Sequence, residues 1–185
     1  MAKLKKEELL FESAFEQYKK ALNIKSDHLN NLSNYGNALS RLAHLKNDEN
    51  LFNKAFEQYE KALKIIPDHA NNLSNYGTAL TSLAKLKNDE NLFNKAFEQY
   101  EKVLKVQPDD VRNLSNYGIV LTSLAKLKND ENLFNKAFEQ YEKALKIIPD
   151  HANNLSNYGT ALTSLAKLKN DENLFNKAFE QYEKA

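Results

Sequence analysis

A period of 41 residues runs through the chain and limits its fold more than any other feature. Phe11, Phe52, Phe93, Phe134 and Phe175 stand 41 apart, and so do Tyr18, Tyr59, Tyr100, Tyr141 and Tyr182. Gly36, Gly77, Gly118 and Gly159 keep the same step, as do Pro67, Pro108 and Pro149. Residues 51–91 and 133–173 are identical throughout. Self-similarity at such a period belongs to repeat architectures, in which each unit contacts its neighbours and no unit buries its apolar faces alone. The units are expected at 10–50, 51–91, 92–132 and 133–173, with a partial unit at 174–185. Residues 1–9 open the first helix, and the whole of 1–185 forms a single repeat domain.

Within a unit the apolar spacing is helical. Leu73, Tyr76, Gly77, Leu80, Leu83 and Ala84 recur at steps of three and four, a single helical stripe. Leu92, Phe93, Ala96, Phe97, Tyr100, Val103 and Leu104 form a second stripe, and neither fits the period of two that a strand requires. Lys87-Asn88-Asp89 interrupts the two stripes, with Asn88 or Asp89 available as N-cap and Glu90 in the first turn. Pro108 closes the second helix. The pattern predicts antiparallel pairs at 29–45 with 49–65, 70–86 with 90–106, 111–127 with 131–147, and 152–168 with 172–185, after an opening helix near 3–24. Ala2-Lys3-Leu4-Lys5 repeats Ala84-Lys85-Leu86-Lys87, so the opening reads as the remnant of an earlier unit. Four glycines and three prolines among 185 residues are too few turn formers for a β-rich fold. The expected class is all-α, a solenoid of stacked helix pairs.

These residues resemble the tetratricopeptide repeat. That family places a large apolar residue four before a Gly or Ala and another three after it, as Leu73, Gly77 and Leu80 stand here. Its second helix carries Ala, an aromatic four later, Ala three after that and Pro five further on, as in Ala55, Tyr59, Ala62 and Pro67. The resemblance implies a right-handed superhelix whose first helices line the concave face. The family's period is about 34 residues. Here the seven extra residues lie between the Gly and the second-helix Ala, which adds about one turn to each helix and leaves the apolar faces in phase.

The same resemblance implies a protein-interaction scaffold that binds an extended peptide in the concave groove. Asn34, Asn75, Asn116 and Asn157 stand two before the glycines. They resemble the inner Asn ladder of the O-GlcNAc transferase repeats, which holds a peptide main chain. A carboxamide can serve both the N–H and the C=O of a peptide. Six before the glycines stand Asn30, Asn71, Arg112 and Asn153. Co-chaperones of this fold clamp an acidic C-terminus with basic residues near there, and only Arg112 is basic. The alternative function is a self-associating array without a peptide ligand.

Other classes are disfavoured by composition. The full units hold equal numbers of acidic and basic residues, and the formal net charge is +1. The count gives no basic footprint for nucleic acid or a membrane surface and builds no single-sign face. There is no cysteine, no His-x-x-x-His pair and no Gly-rich phosphate loop, so catalytic, metal and cofactor sites are not expected. His28, His69 and His151 share one turn position, which is Asp110 in the third unit. Adjacent acids such as Asp48-Glu49 read as helix starts rather than acid–base pairs. No apolar run approaches the roughly 18 residues of a membrane span, and no signal peptide is visible. A cytoplasmic location follows as the expectation. The last helix repeats Leu174, Phe175, Ala178, Phe179 and Tyr182 with no later unit to cover them. Weak end-to-end contacts through Phe175, Phe179 or Tyr182 are expected.

Overall fold

The computed structural model describes residues 2–185, with side chains from Lys5 onward. The described residues form helices α1 (Ala2–Ile24), α2 (Leu29–Lys46), α3 (Glu49–Ile65), α4 (Ala70–Lys87), α5 (Glu90–Val106), α6 (Val111–Lys128), α7 (Glu131–Ile147), α8 (Ala152–Lys169) and α9 (Glu172–Glu183), and no strand. The expected pairs are present with boundaries shifted by a residue or two. The opening segment is one continuous helix, as expected where Lys6-Glu7 replaces the turn. The part of the expected remnant at residues 1–4 lies outside the described side chains.

Local chemistry explains where each helix starts and stops. Asp89 is the N-cap of α5, and its carboxylate accepts from the N–H groups of Asn91 and Leu92 at 2.8 and 3.2 Å. Asn88 has the other task. It ends α4 in the left-handed region at φ 51°, a conformation Asn tolerates better than most residues. Asn47, Asn129 and Asn170 do the same in their units. The histidines of the repeat turn prove to be N-caps. Nδ1 of His69 accepts from Asn72 N–H at 3.2 Å, and Asp110 makes the equivalent bond to Asn113 at 2.8 Å.

Packing follows the repeat. Helices α2 and α3, α4 and α5, α6 and α7, and α8 and α9 form close pairs, and α3, α5 and α7 also touch the first helix of the next pair. First helices approach one another closely in series, α2 to α4 to α6 to α8, whereas the backbones of the second helices lie further apart. The stack is therefore tighter along its first helices, which form the inner wall of a curved α-solenoid. A continuous core runs from Phe15 to Ala161, with Tyr59, Tyr100 and Tyr141 about 1% exposed. Aromatic contacts join successive helix pairs: Tyr76 stacks on Tyr59 at 5.6 Å between ring centroids, and Tyr158 on Tyr141 at 5.8 Å. The Val103 and Val120 methyls that distinguish the third unit are both fully buried in this core.

The glycines mark the closest approach within each pair. A Cβ on Gly36, Gly77, Gly118 or Gly159 would meet the ring of Tyr59, Tyr100, Tyr141 or Tyr182 at 2.5–2.9 Å. Only a residue without a side chain lets the tyrosine lie across the first helix. Its hydroxyl then reaches the inner wall, where Tyr59 donates to Asn37 at 2.9 Å and the Tyr100 hydroxyl bonds Thr78 at 2.8 Å.

A candidate peptide groove on the inner wall

The first helices place two kinds of Asn one residue apart in sequence and far apart in environment. Asn72, Asn113 and Asn154 are completely buried and bridge units. Asn72 donates through Nδ2 to the Tyr59 carbonyl at 2.8 Å and accepts from the Ser33 hydroxyl at 3.1 Å. Ser74 donates to Asn113 at 2.6 Å, and Asn154 donates to the Tyr141 carbonyl at 2.8 Å. This is an Asn ladder, and it is structural. Sequence reasoning passed over it. The available signal was the Asn-Asn dipeptide beside Leu73, where one Asn of the two had to face the core.

The residues expected in the groove lie on the accessible side. Asn30, Asn34, Asn71, Arg112 and Asn153 are exposed, and Asn75, Asn116 and Asn157 are half-buried. Arg112, Asn116, Asn153 and Asn157 come together with Ser115 and His151 around an open depression of about 530 Å³ between α6 and α8. Asn34 lies instead in a larger depression of about 1020 Å³ beside Tyr18 and Arg41, at the amino-terminal end. Asn30, Asn71 and Asn75 line neither of these two depressions. Asn157 reaches the Ser115 hydroxyl at 3.5 Å, the limit of a hydrogen bond, so its carboxamide is only weakly engaged. Asn75 makes no side-chain hydrogen bond of that length among the described residues, whereas Asn116 lies beside the buried Tyr100 hydroxyl.

A second cavity of about 750 Å³ adjoins the first, sharing Asn157, and is lined among others by Lys85, Ile119, Ser123, Lys126 and Thr160. Burial against the inner wall, and then the Lys126 charge, push the Lys85 amine below the usual lysine range, although the residue as a whole remains exposed. The chemistry on offer is hydrogen bonding and charge. Among the described residues no group of His, Asp and Glu is placed to hold a metal ion.

A wall of stacked first helices with accessible polar groups defines a tetratricopeptide-like repeat protein. Comparison with known proteins agrees. Residues 36–69 match the tetratricopeptide-repeat family, and residues 90–185, just over half of the chain, match the family described as plant-specific mitochondrial import receptor subunit TOM20. The chain belongs to that TOM20 family. No curated protein matches the chain. Among solved structures, "MamA RS-1 ArsTM double mutant" superposes with a TM-score of 0.71 at 18% identity, covering 94% of this chain and 83% of that one. "MamA 41-end from Desulfovibrio magneticus RS-1" gives 0.70 at 20% identity, covering 94% and 86%. A crystal structure of MamA gives 0.66 at 22% identity, covering 94% and 90%. These likenesses are of fold.

The family match overturns the cytoplasmic location expected from the sequence, because the family is described by a mitochondrial import receptor subunit. That expectation rested on the lack of a visible leader or spanning segment. A docking partner can set an address, and composition does not display one. Among the described residues no helix is long and apolar enough to cross a membrane.

Proposed function

We propose that the chain is a non-catalytic scaffold that binds an extended polypeptide along the inner wall of its first helices. The observation that carries this reading is the depression between α6 and α8, where Arg112, Asn116, Asn153 and Asn157 converge with their polar groups accessible. A peptide main chain laid there would exchange hydrogen bonds with the carboxamides, while Ser115 and Ser156 fit many side chains. A family described as an import receptor subunit suits a role in recognising polypeptides. The test is selection of binders from a displayed peptide library, followed by replacement of Asn75, Asn116 and Asn157 together by Ala. Each lost hydrogen bond contributes about 0.5–1.5 kcal/mol, so the triple variant should lose the selected peptides and keep its helical circular dichroism. Unaltered capture would sink the groove reading.

A further inference from the structure

The outer face of the solenoid carries an arrangement that a count of charges hides. The second helices lie apart on that side, and between α3 and α5 this opens a depression of about 390 Å³. Lys64 of α3 and Lys95 and Lys102 of α5 stand around it, together with the half-buried Leu63 and the buried Gln99. The three lysines form no ion pair among the described residues. Two carboxylates of α3 are engaged elsewhere. Lys87 holds Glu49 at 2.6 Å, and Glu60, the one carboxylate of the lining, accepts from the Tyr76 hydroxyl at 2.8 Å. Glu57 and Glu98 stand outside the lining. Gln99 is an independent sign of a ligand. It is only 7% exposed, yet its carboxamide makes a single bond, from Nε2 to the Lys95 carbonyl at 3.4 Å, close to the limit of a hydrogen bond. So buried a polar group is ordinarily better satisfied. The next unit repeats the set with Lys105, Lys136, Lys143 and Gln140, whose bond to the Lys136 carbonyl is 3.5 Å.

We propose that the outer grooves between second helices, α3 with α5 and α5 with α7, bind a ligand bearing clustered phosphate groups, with the lysine amines on the phosphates and Gln99 or Gln140 donating to a phosphate oxygen. This goes beyond the inner-wall reading and does not depend on it. Lys95 and Lys102 lie two turns apart on one face of α5, about 10 Å along its axis. Lys64 approaches from the other helix, so the amines suit several neighbouring anionic groups better than a single one. Lysine binds phosphate as a point charge on a flexible stem and needs no fixed fork geometry. The Gln carboxamide supplies a donor from a buried, rigid position. With Glu60 held by Tyr76, the amines outnumber the carboxylates of the lining by three to one. Nucleic acid would need an exposed ring face for stacking. The one aromatic residue of the lining, Tyr76, is 8% exposed.

The test is calorimetric titration of the whole chain with inositol hexakisphosphate and with tripolyphosphate. Both should bind saturably, and more weakly as salt rises. An outer variant combines Lys95→Gln, Lys102→Gln, Lys136→Gln and Lys143→Gln, and should weaken both ligands at least about tenfold with helical circular dichroism intact. Gln99→Met with Gln140→Met keeps every charge and should weaken them roughly threefold. Lys85→Gln with Lys126→Gln, on the inner wall, should leave both unchanged. Vesicles containing phosphatidylinositol bisphosphate separate the sources of the phosphates. Sedimentation with the vesicles, lost in the outer variant, assigns a lipid headgroup, and soluble binding without it assigns a free polyphosphate. Absence of binding to all three probes would overturn the proposal. So would equal weakening by the inner-wall and outer substitutions, which would mean attraction to net charge alone. Equal or tighter binding of a peptide of alternating Glu and Ser, lost in the outer variant, would overturn the phosphate assignment in favour of carboxylates.

Discussion

Tyr100 of α5 lies across Gly77 of α4, so close that a Cβ on the glycine would stand 2.9 Å from Cε2 of the ring. The tyrosine is about 1% exposed and its hydroxyl is held by Thr78, so the ring has no free space to move into. A mid-helix Gly costs about 0.5–1 kcal/mol relative to Ala, and here the close packing offsets that cost. Gly77→Leu should destabilise the chain by about 1–3 kcal/mol in denaturant unfolding. Combined with Tyr100→Ala the two effects should be non-additive, because the substitutions share one contact. A neutral Gly77→Leu would show that the contact contributes nothing.

The two Asn positions should separate cleanly. Asn72→Ala leaves the Tyr59 carbonyl and the Ser33 hydroxyl without their partner in a buried interface. It should cost about 1–3 kcal/mol. Asn75→Ala, three residues on, should stay within about 0.5 kcal/mol of wild type. Parallel urea titrations of the two variants are the measurement, and equal losses would contradict the division into a structural ladder and a groove.

Capping predicts a gain. His69 accepts from Asn72 N–H at 3.2 Å, whereas Asp110 accepts from Asn113 N–H at 2.8 Å in the otherwise similar third unit. An aspartate also places negative charge at the helix N-terminus. His69→Asp should raise stability by roughly 0.3–1 kcal/mol at neutral pH. A loss would mean that the imidazole makes contacts beyond the cap.

The buried tyrosines predict alkaline unfolding. Burial pushes the Tyr100 phenol up to about 12, and Tyr59, Tyr76 and Tyr141 are displaced upward in the same sense, also mainly by burial. In the unfolded chain a tyrosine titrates near 10. Between those values the unfolded state has released its proton and the folded state has not, so stability is fully present below about pH 10 and falls as pH rises toward 12. Tyrosinate absorbance and helical circular dichroism, followed together against pH, should change in one transition. Full ionisation with the helices intact would contradict the burial argument.

Much of the fold was legible because its signals are local and repeated. The stripe from Leu73 to Ala84 needs only the helical period, and the Asp89 cap needs only its own neighbours. Asn88 and Asp89 could each cap the second helix by residue type. The division of labour came from the backbone: Asn88 had to enter the left-handed region to end α4, which left Asp89 free to start α5. The His69 cap was less visible, because a histidine accepts through a ring nitrogen only when the turn aims it at the helix end. The family match corrected the location, which no local signal carried.

By itself the sequence determined helix pairs of 41-residue period, their stacking and the resemblance to tetratricopeptide repeats. These follow from spacing along one chain, which periodicity records directly. Only the tertiary structure decided that Asn72 is a buried strut while Asn75 is left half-buried, because each residue turns the side chain by about 100° around the helix and only the neighbouring helix pair says which direction is inside. It also decided that Lys87 is neutralised by Glu49 while Lys85 is not. A count of charges is blind to position, and pairing depends on which helix ends the stack brings within reach.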